Sequence, residues 1–426
     1  MRAYWGFLLA WFGMALSAPG AAAGETYVLA PDRVFDGETL HQNWLVRIED
    51  GRIAVAGETV EETGATRIDL SGMTLLPGLI DAHTHVLLHP YDETPWNDQV
   101  LKESKAERVA RAANHLRASL MAGFTTLRDL GTEGAGYADV GLKQALEKGV
   151  IEGPRLIVAG PAMVVTGSYG PKGFHEGVDV PLGAVEADGP DGVVAETRRQ
   201  IGGGADWVKV YADYRWGLDG ETRPTFSLDE LKRIVETARS SGRPVVAHAA
   251  SDAGMRRAIE AGVETIEHGD AGSLETYRLM ARKGVAICPT LGASEAVARY
   301  AGWDGSEETA PERVRVKRGQ IARILRAGAP LCNGSDAGVF DHGDNAWELE
   351  LLVAYGASPT QALRAATSVD AKVLHLEDEI GRVAPGLVAD LIAVPGDPTA
   401  DISTLRNVSF VMQAGRIVKR PYTTLR

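Results

Sequence analysis

Pro77-Gly78-Leu79-Ile80-Asp81-Ala82-His83-Thr84-His85 opens on a turn-forming Pro-Gly pair, runs through a short apolar stretch and closes on two histidines one residue apart. Side chains two apart along a strand share a face. His83 and His85 therefore project together from the strand's end, where two imidazoles can hold one cation. The competing reading is a pair of hydrogen-bonded histidines with no ligand, and so short a match does not separate the two.

Outward from that stretch the same unit recurs. Apolar runs ending in turn residues lie at 75–81, 125–129, 155–160, 207–211, 245–249, 265–268, 286–290 and 331–336. Between them, at 106–122, 137–148, 193–202, 228–240, 253–261, 274–283 and 314–327, apolar residues recur three or four apart, the period of an amphipathic helix. Eight alternating strand–helix units predict an α/β fold: a (β/α)8 TIM barrel over 75–379, with its chemistry at the C-terminal ends of the strands. The flanks, 24–74 and 380–426, read instead as short strands broken by turns such as Asp50-Gly51-Arg52. They are expected to join into one small β-sandwich.

Composition sets further bounds. With 426 residues, 45% of them hydrophobic, the chain can bury a large core. Its 44 Lys and Arg against 57 Asp and Glu give a net charge of -13, which repels nucleic acid. Residues 3–24 are uncharged, with Arg2 in front, Pro19-Gly20 after the apolar run and Ala21-Ala22-Ala23 at its end. That pattern predicts a signal peptide over 1–23, cleaved to leave a periplasmic or secreted protein with no stable membrane insertion; an uncleaved anchor is the alternative. Cys288 and Cys332 are the sole cysteines. They are expected to be buried free thiols, with a disulfide as the open alternative.

The other strand ends add chemistry. Lys209 interrupts the apolar run Trp207-Val208-Lys209-Val210-Tyr211, and a buried ammonium needs either a partner or a reaction. A carbamate formed with carbon dioxide could bridge two metals, whereas the plain alternative is an ion pair. His248 and His268 close the fifth and sixth runs, and Asp336 closes the eighth in Asn333-Gly334-Ser335-Asp336. Alone, each histidine reads as structural and Asp336 as a helix cap. Together with His83 and His85 they crowd the ends of strands 1, 4, 5, 6 and 8.

This set resembles the two-metal form of the amidohydrolase superfamily, especially its imidazolonepropionase-related and prolidase-like branch. The phrases Thr125-Thr126-Leu127-Arg128-Asp129 and Ala389-Asp390-Leu391-Ile392 extend the similarity over nearly the whole mature chain. The resemblance implies that His83, His85 and Asp336 bind one divalent ion, that His248 and His268 bind another, and that carboxylated Lys209 bridges them. Zinc is expected, with manganese or cobalt as alternatives. It further implies hydrolysis of an amide by metal-activated water, with Asp336 as general base and then general acid. Two departures stand out: Lys209 argues against a mononuclear imidazolonepropionase, and the branch's Gly-Gly-His segment is replaced by Thr166-Gly167-Ser168-Tyr169-Gly170.

Substrate contacts are expected from Tyr211, whose hydroxyl could also stabilise an oxyanion as a catalytic group, and from Arg215, His175 and His342. A dipeptide or an N-acyl amino acid is the expected substrate. Cyclic amides, lactones and organophosphates on the same site form a second reading, and a non-catalytic exported binding protein a third. The expected partners are a small molecule and, as an open alternative, further copies of the chain.

Overall fold

The computed structural model describes residues 25–421 apart from 176, so the expected signal peptide lies outside the described residues. Seven barrel strands follow in order: Leu79–Thr84, Phe124–Asp129, Arg155–Val158, Val208–Tyr211, Val245–Ala249, Thr265–His268 and Ala286–Cys288. Neighbours pair in parallel. The third and fourth are joined instead by hydrogen bonds from the Asp206 and Trp207 N–H groups to the Val158 carbonyl, and a short strand, Met163–Val164, pairs with the fourth at Val210.

The eighth run closes the ring through two single parallel bridges, Ile287 with Leu331 and Thr84 with Ala337. Main-chain hydrogen bonds from Ala82 to Asn333, Asp336 to His83 and His85 to Ala337 complete the closure. The seventh strand ends at Cys288, short of the expected 290, because Pro289 has no N–H to donate and Thr290 is left-handed at φ +52°.

The surrounding helices include Lys105–Met121, Ala138–Glu147, Gly189–Gly203, Leu228–Arg239, Asp252–Ala261, Leu274–Lys283 and Glu312–Ala327. Their ends obey local rules. Ser104, Ser227, Ser251 and Ser273 each accept a hydrogen bond from the N–H three residues on. Gly262, Gly284 and Gly328 close their helices in the left-handed conformation. No helix among the described residues is long and apolar enough to cross a membrane.

Both ends of the chain do meet in one sheet. Its order runs Arg416–Lys419, Phe410–Gln413, Leu391–Pro395, Thr66–Pro77, Tyr27–Phe35, Leu45–Glu49, Arg52–Gly57, with Leu40–Gln42 also on Tyr27–Phe35. The last hairpin turns through Asp50 and Gly51, both at positive φ, as a two-residue connection requires. Leu29, Ile48, Leu70, Leu391 and Phe410 share its core.

One expectation fails here. Cys288 and Cys332 are not free thiols but a disulfide, with Cα atoms 4.8 Å apart. The physical reason is their register. Cys332 donates its N–H to Ile287 across adjacent strands, which brings two cysteines 44 residues apart into bridging range.

Candidate active site

The first strand delivers His83 and His85 to the barrel's C-terminal end, and neighbouring groups fix their rings. His83 Nδ1 lies 2.7 Å from Glu267 Oε2. Glu267 also accepts from Arg128 (3.1 Å) and Thr265 (2.7 Å), all fully buried. A carboxylate that accepts a hydrogen bond from Nδ1–H fixes the tautomer and leaves the Nε2 lone pair free for a metal. The Gly131 carbonyl does the same for His85 at 2.8 Å.

Both free Nε2 atoms face Asp336 Oδ1, at 3.6 Å from His83 and 3.4 Å from His85. These gaps are too long for hydrogen bonds. They match the edges of a ligand polyhedron, because donors about 2.1 Å from a tetrahedral zinc stand about 3.4 Å apart.

His268 extends the cluster. Its ring lies 5.2 Å from that of His83 and 4.5 Å from that of His248, and Thr290 Oγ1 holds its Nδ1 at 2.7 Å. Donor atoms of His83, His268 and Asp336 all fall within 4.8 Å of one another. The two expected ligand groups are thus one contiguous cluster, in which His268 also reaches His83 and Asp336. Lys209 is buried on the fourth strand, its Nζ 5.7 Å from the Tyr211 ring.

Burial sets the charge states. It drives His83, His248 and His268 well below the ordinary histidine value, helped by neighbouring cations, and lowers His85 as well. Neutral imidazole is the ligating form. Burial pulls Lys209 down to about 8, against the opposing pull of Glu267 and Asp336. It lifts Asp336 to about 6, with Lys209 opposing. The backbone is also constrained here: Glu133, His268, Thr290 and Asp336 all sit at positive φ, between +46° and +73°. Each such residue costs on the order of 1–3 kcal/mol and persists where its surroundings over-determine it.

Above the cluster lies a cavity of about 270 Å³. Tyr169, Tyr211 and Tyr214 lie together on its lining, which also includes Leu88, Val297, Val339, Arg215 and Arg313. Tyr211 stacks on His248 at 4.5 Å. Of the expected substrate contacts, Tyr211 and Arg215 line the cavity. His175 and His342 do not: His175 is exposed on a loop, and His342 is half-buried and stacks on His115 at 4.4 Å with Nε2 3.1 Å from the Leu88 carbonyl.

Residues 74–418 match the Amidohydrolase family. The chain belongs to that family. An ochratoxinase of Aspergillus niger is 30% identical over 423 residues, covering 91% of this chain and 85% of its own. Among solved structures, a Xaa-Pro dipeptidase with methionine bound in its active site has a TM-score of 0.82 at 30% identity, covering 93% of this chain and 100% of that one. A prolidase complexed with N-methylphosphonate-L-proline has a TM-score of 0.79 at 30% identity and the same coverage. This amidohydrolase is accordingly a metal-dependent hydrolase of carbon–nitrogen bonds in small molecules.

The amidohydrolase site also contains residues that sequence reasoning passed over. Glu267 stands beside His268, and Arg128 lies within the second barrel strand; a charged residue inside an otherwise buried strand was the available signal in both. Tyr169 sits within the segment that departs from the Gly-Gly-His pattern. Glu133 and Arg313 come from loop and helix positions that carry no local signature.

Proposed function

We propose that this amidohydrolase cleaves the amide bond of a dipeptide or an N-acyl amino acid. The observation that carries the reading is the meeting of neutral histidines and Asp336 at the floor of a small cavity that Arg215 and Arg313 also line. Neither guanidinium has a hydrogen bond or ion pair among the described residues, so both are available to a substrate carboxylate.

The donor set fits divalent ions. His83, His85 and Asp336 would hold one and His248 and His268 the other, with carboxylated Lys209 between them. Once bound, such ions supply Lewis acidity and lower the pKa of water toward neutrality. Lys209 suits carboxylation because its burial favours the neutral amine, which adds carbon dioxide and releases a proton. Asp336 accepts the proton of the attacking water and returns it to the leaving nitrogen, so it serves in turn as base and acid. Tyr211 faces the cavity beside His248, where its hydroxyl can donate to the developing oxyanion.

Release of free amino acid from a panel of dipeptides and N-acyl amino acids, by zinc-supplemented protein, tests the proposal. Wild type should cleave part of the panel, and Asp336→Asn should lose about 10²–10⁴-fold in kcat with its circular dichroism retained. Silence of the metal-loaded wild type across the panel, with turnover of a lactone or phosphotriester, would overturn it.

Export is part of the same reading. The Cys288–Cys332 disulfide suits an oxidising compartment, and the N-terminus of the exported protein should read from Gly24.

A further inference from the structure

The cavity carries an unused negative charge. Glu133, in the loop after the second barrel strand, is 2% exposed and lines the cavity. A buried carboxylate is costly unless its oxygens are satisfied and its charge is paired. Here Oε2 accepts from Trp96 Nε1 at 3.0 Å and from the Tyr169 hydroxyl at 2.6 Å. Oε1 accepts no hydrogen bond, and no Lys or Arg forms an ion pair with the carboxylate, among the described residues. Arg108, the nearby cation, directs its guanidinium at the main-chain carbonyls of Leu87, Thr132 and Glu133.

The position of Oε1 is informative. A Cβ placed on Gly131 would stand 3.4 Å from both Glu133 Oε1 and His85 Cε1, so the oxygen and the ring of a candidate metal ligand border the same small space. The φ of +144° at Gly131 is one that side chains rarely adopt, so the backbone there calls for glycine. Three aromatic rings adjoin: Tyr169 stands 4.9 Å from Tyr211 and 5.1 Å from Tyr214, and Tyr211 lies 5.9 Å from Tyr214. Ring faces attract an ammonium within about 6 Å. His248 stacks on Tyr211, so the carboxylate of Glu133 and the rings of Tyr169 and Tyr214, all lining one cavity, make the receptor for a cation.

We propose that Glu133, with Tyr169 and Tyr214, binds the primary ammonium of the substrate. The preferred substrate is then an unblocked dipeptide and not an N-acyl amino acid. The inference rests on the amide-hydrolysing reading above and selects between its two substrate classes. In a dipeptide the ammonium is carried by the carbon next to the scissile carbonyl, so its receptor must share the cavity with the candidate metal ligands, and Glu133 lines the same cavity as His85, His268 and Asp336. The carboxylate at the other end is left for Arg215 and Arg313. An acyl chain without the amine would leave Glu133 buried and unpaired, and sites built around a polar partner reject analogues that lack it.

The test compares Ala-Xaa dipeptides with isobutyryl-Xaa, in which a methyl replaces the ammonium, for three choices of Xaa with zinc-loaded wild type and Glu133→Gln. The expected result is a kcat/KM ratio of about 10²-fold in favour of the dipeptide for wild type, falling to within a few-fold of one in Glu133→Gln. Equal turnover of both substrates by wild type overturns the ammonium site while leaving amide hydrolysis intact, and this comparison needs no variant. Equal losses on both substrates in Glu133→Gln would show that Glu133 merely supports Tyr169 and would also overturn it. Failure of wild type to cleave either substrate overturns both readings together.

Discussion

At the scale of single residues, the site depends on groups that never touch a ligand. Glu267 fixes His83 from behind, and Arg128 neutralises Glu267 while its guanidinium lies 4.4 Å from the Trp207 ring. Replacing Glu267 by Gln keeps the shape but removes the charge that makes His83 a stronger ligand. Affinity for zinc should fall about 10–100-fold, measured by competition with a chromophoric chelator. Unchanged affinity would show that Glu267 serves packing alone. His83, His85, Lys209, His248, His268 and Asp336 were legible in the sequence because each ends or interrupts an apolar run. Glu133 was not, because a loop position has no periodicity to violate.

At the scale of elements, the eighth run is the weak member of the barrel. It is held by single bridges in place of a ladder, yet it carries Asp336. Two features compensate. Close packing is one: a Cβ on Gly334 would stand 2.8 Å from His83 Cβ and 2.9 Å from Cys288 Cβ, so only glycine lets the run lie against the first and seventh strands. The disulfide to the seventh strand is the other. Closing a loop of 44 residues is worth about 3–4 kcal/mol in the chain-entropy account. The double variant C288A/C332A should lose stability of that order in urea denaturation; a loss below about 1 kcal/mol would place the tether's importance elsewhere. Helix positions were legible from apolar spacing. The pairing of the cysteines was not, because spacing in sequence says nothing about register between strands.

At the scale of the whole molecule, many carboxyls are buried, and their titration shapes stability. Glu348, on helix Ala346–Ala354, places its carboxylate at the start of helix Leu291–Tyr300 and accepts from the Leu291 and Gly292 N–H groups at 3.0 and 2.7 Å. Burial raises it from 4.5 to about 8 despite those bonds. Its folded value exceeds its unfolded one, so its contribution is complete below about pH 4.5 and is lost as pH rises through 8. Urea midpoints at pH 5 and pH 8 should show wild type losing more stability across that window than Glu348→Gln. An equal fall in both would assign the pH dependence to other carboxyls, such as Asp370, which burial also raises.

The sequence by itself determined the alternation of strand and helix, the sandwich built from both ends and the residues at the strand ends. Those features are written in local period, turn chemistry and polar residues placed where apolar ones belong. Tertiary structure alone decided the disulfide, the displacement of His175 and His342 from the cavity, and the meeting of Glu133 with three tyrosines. Barrel closure fixes which loops face one another, and that distance in space has no counterpart in distance along the chain.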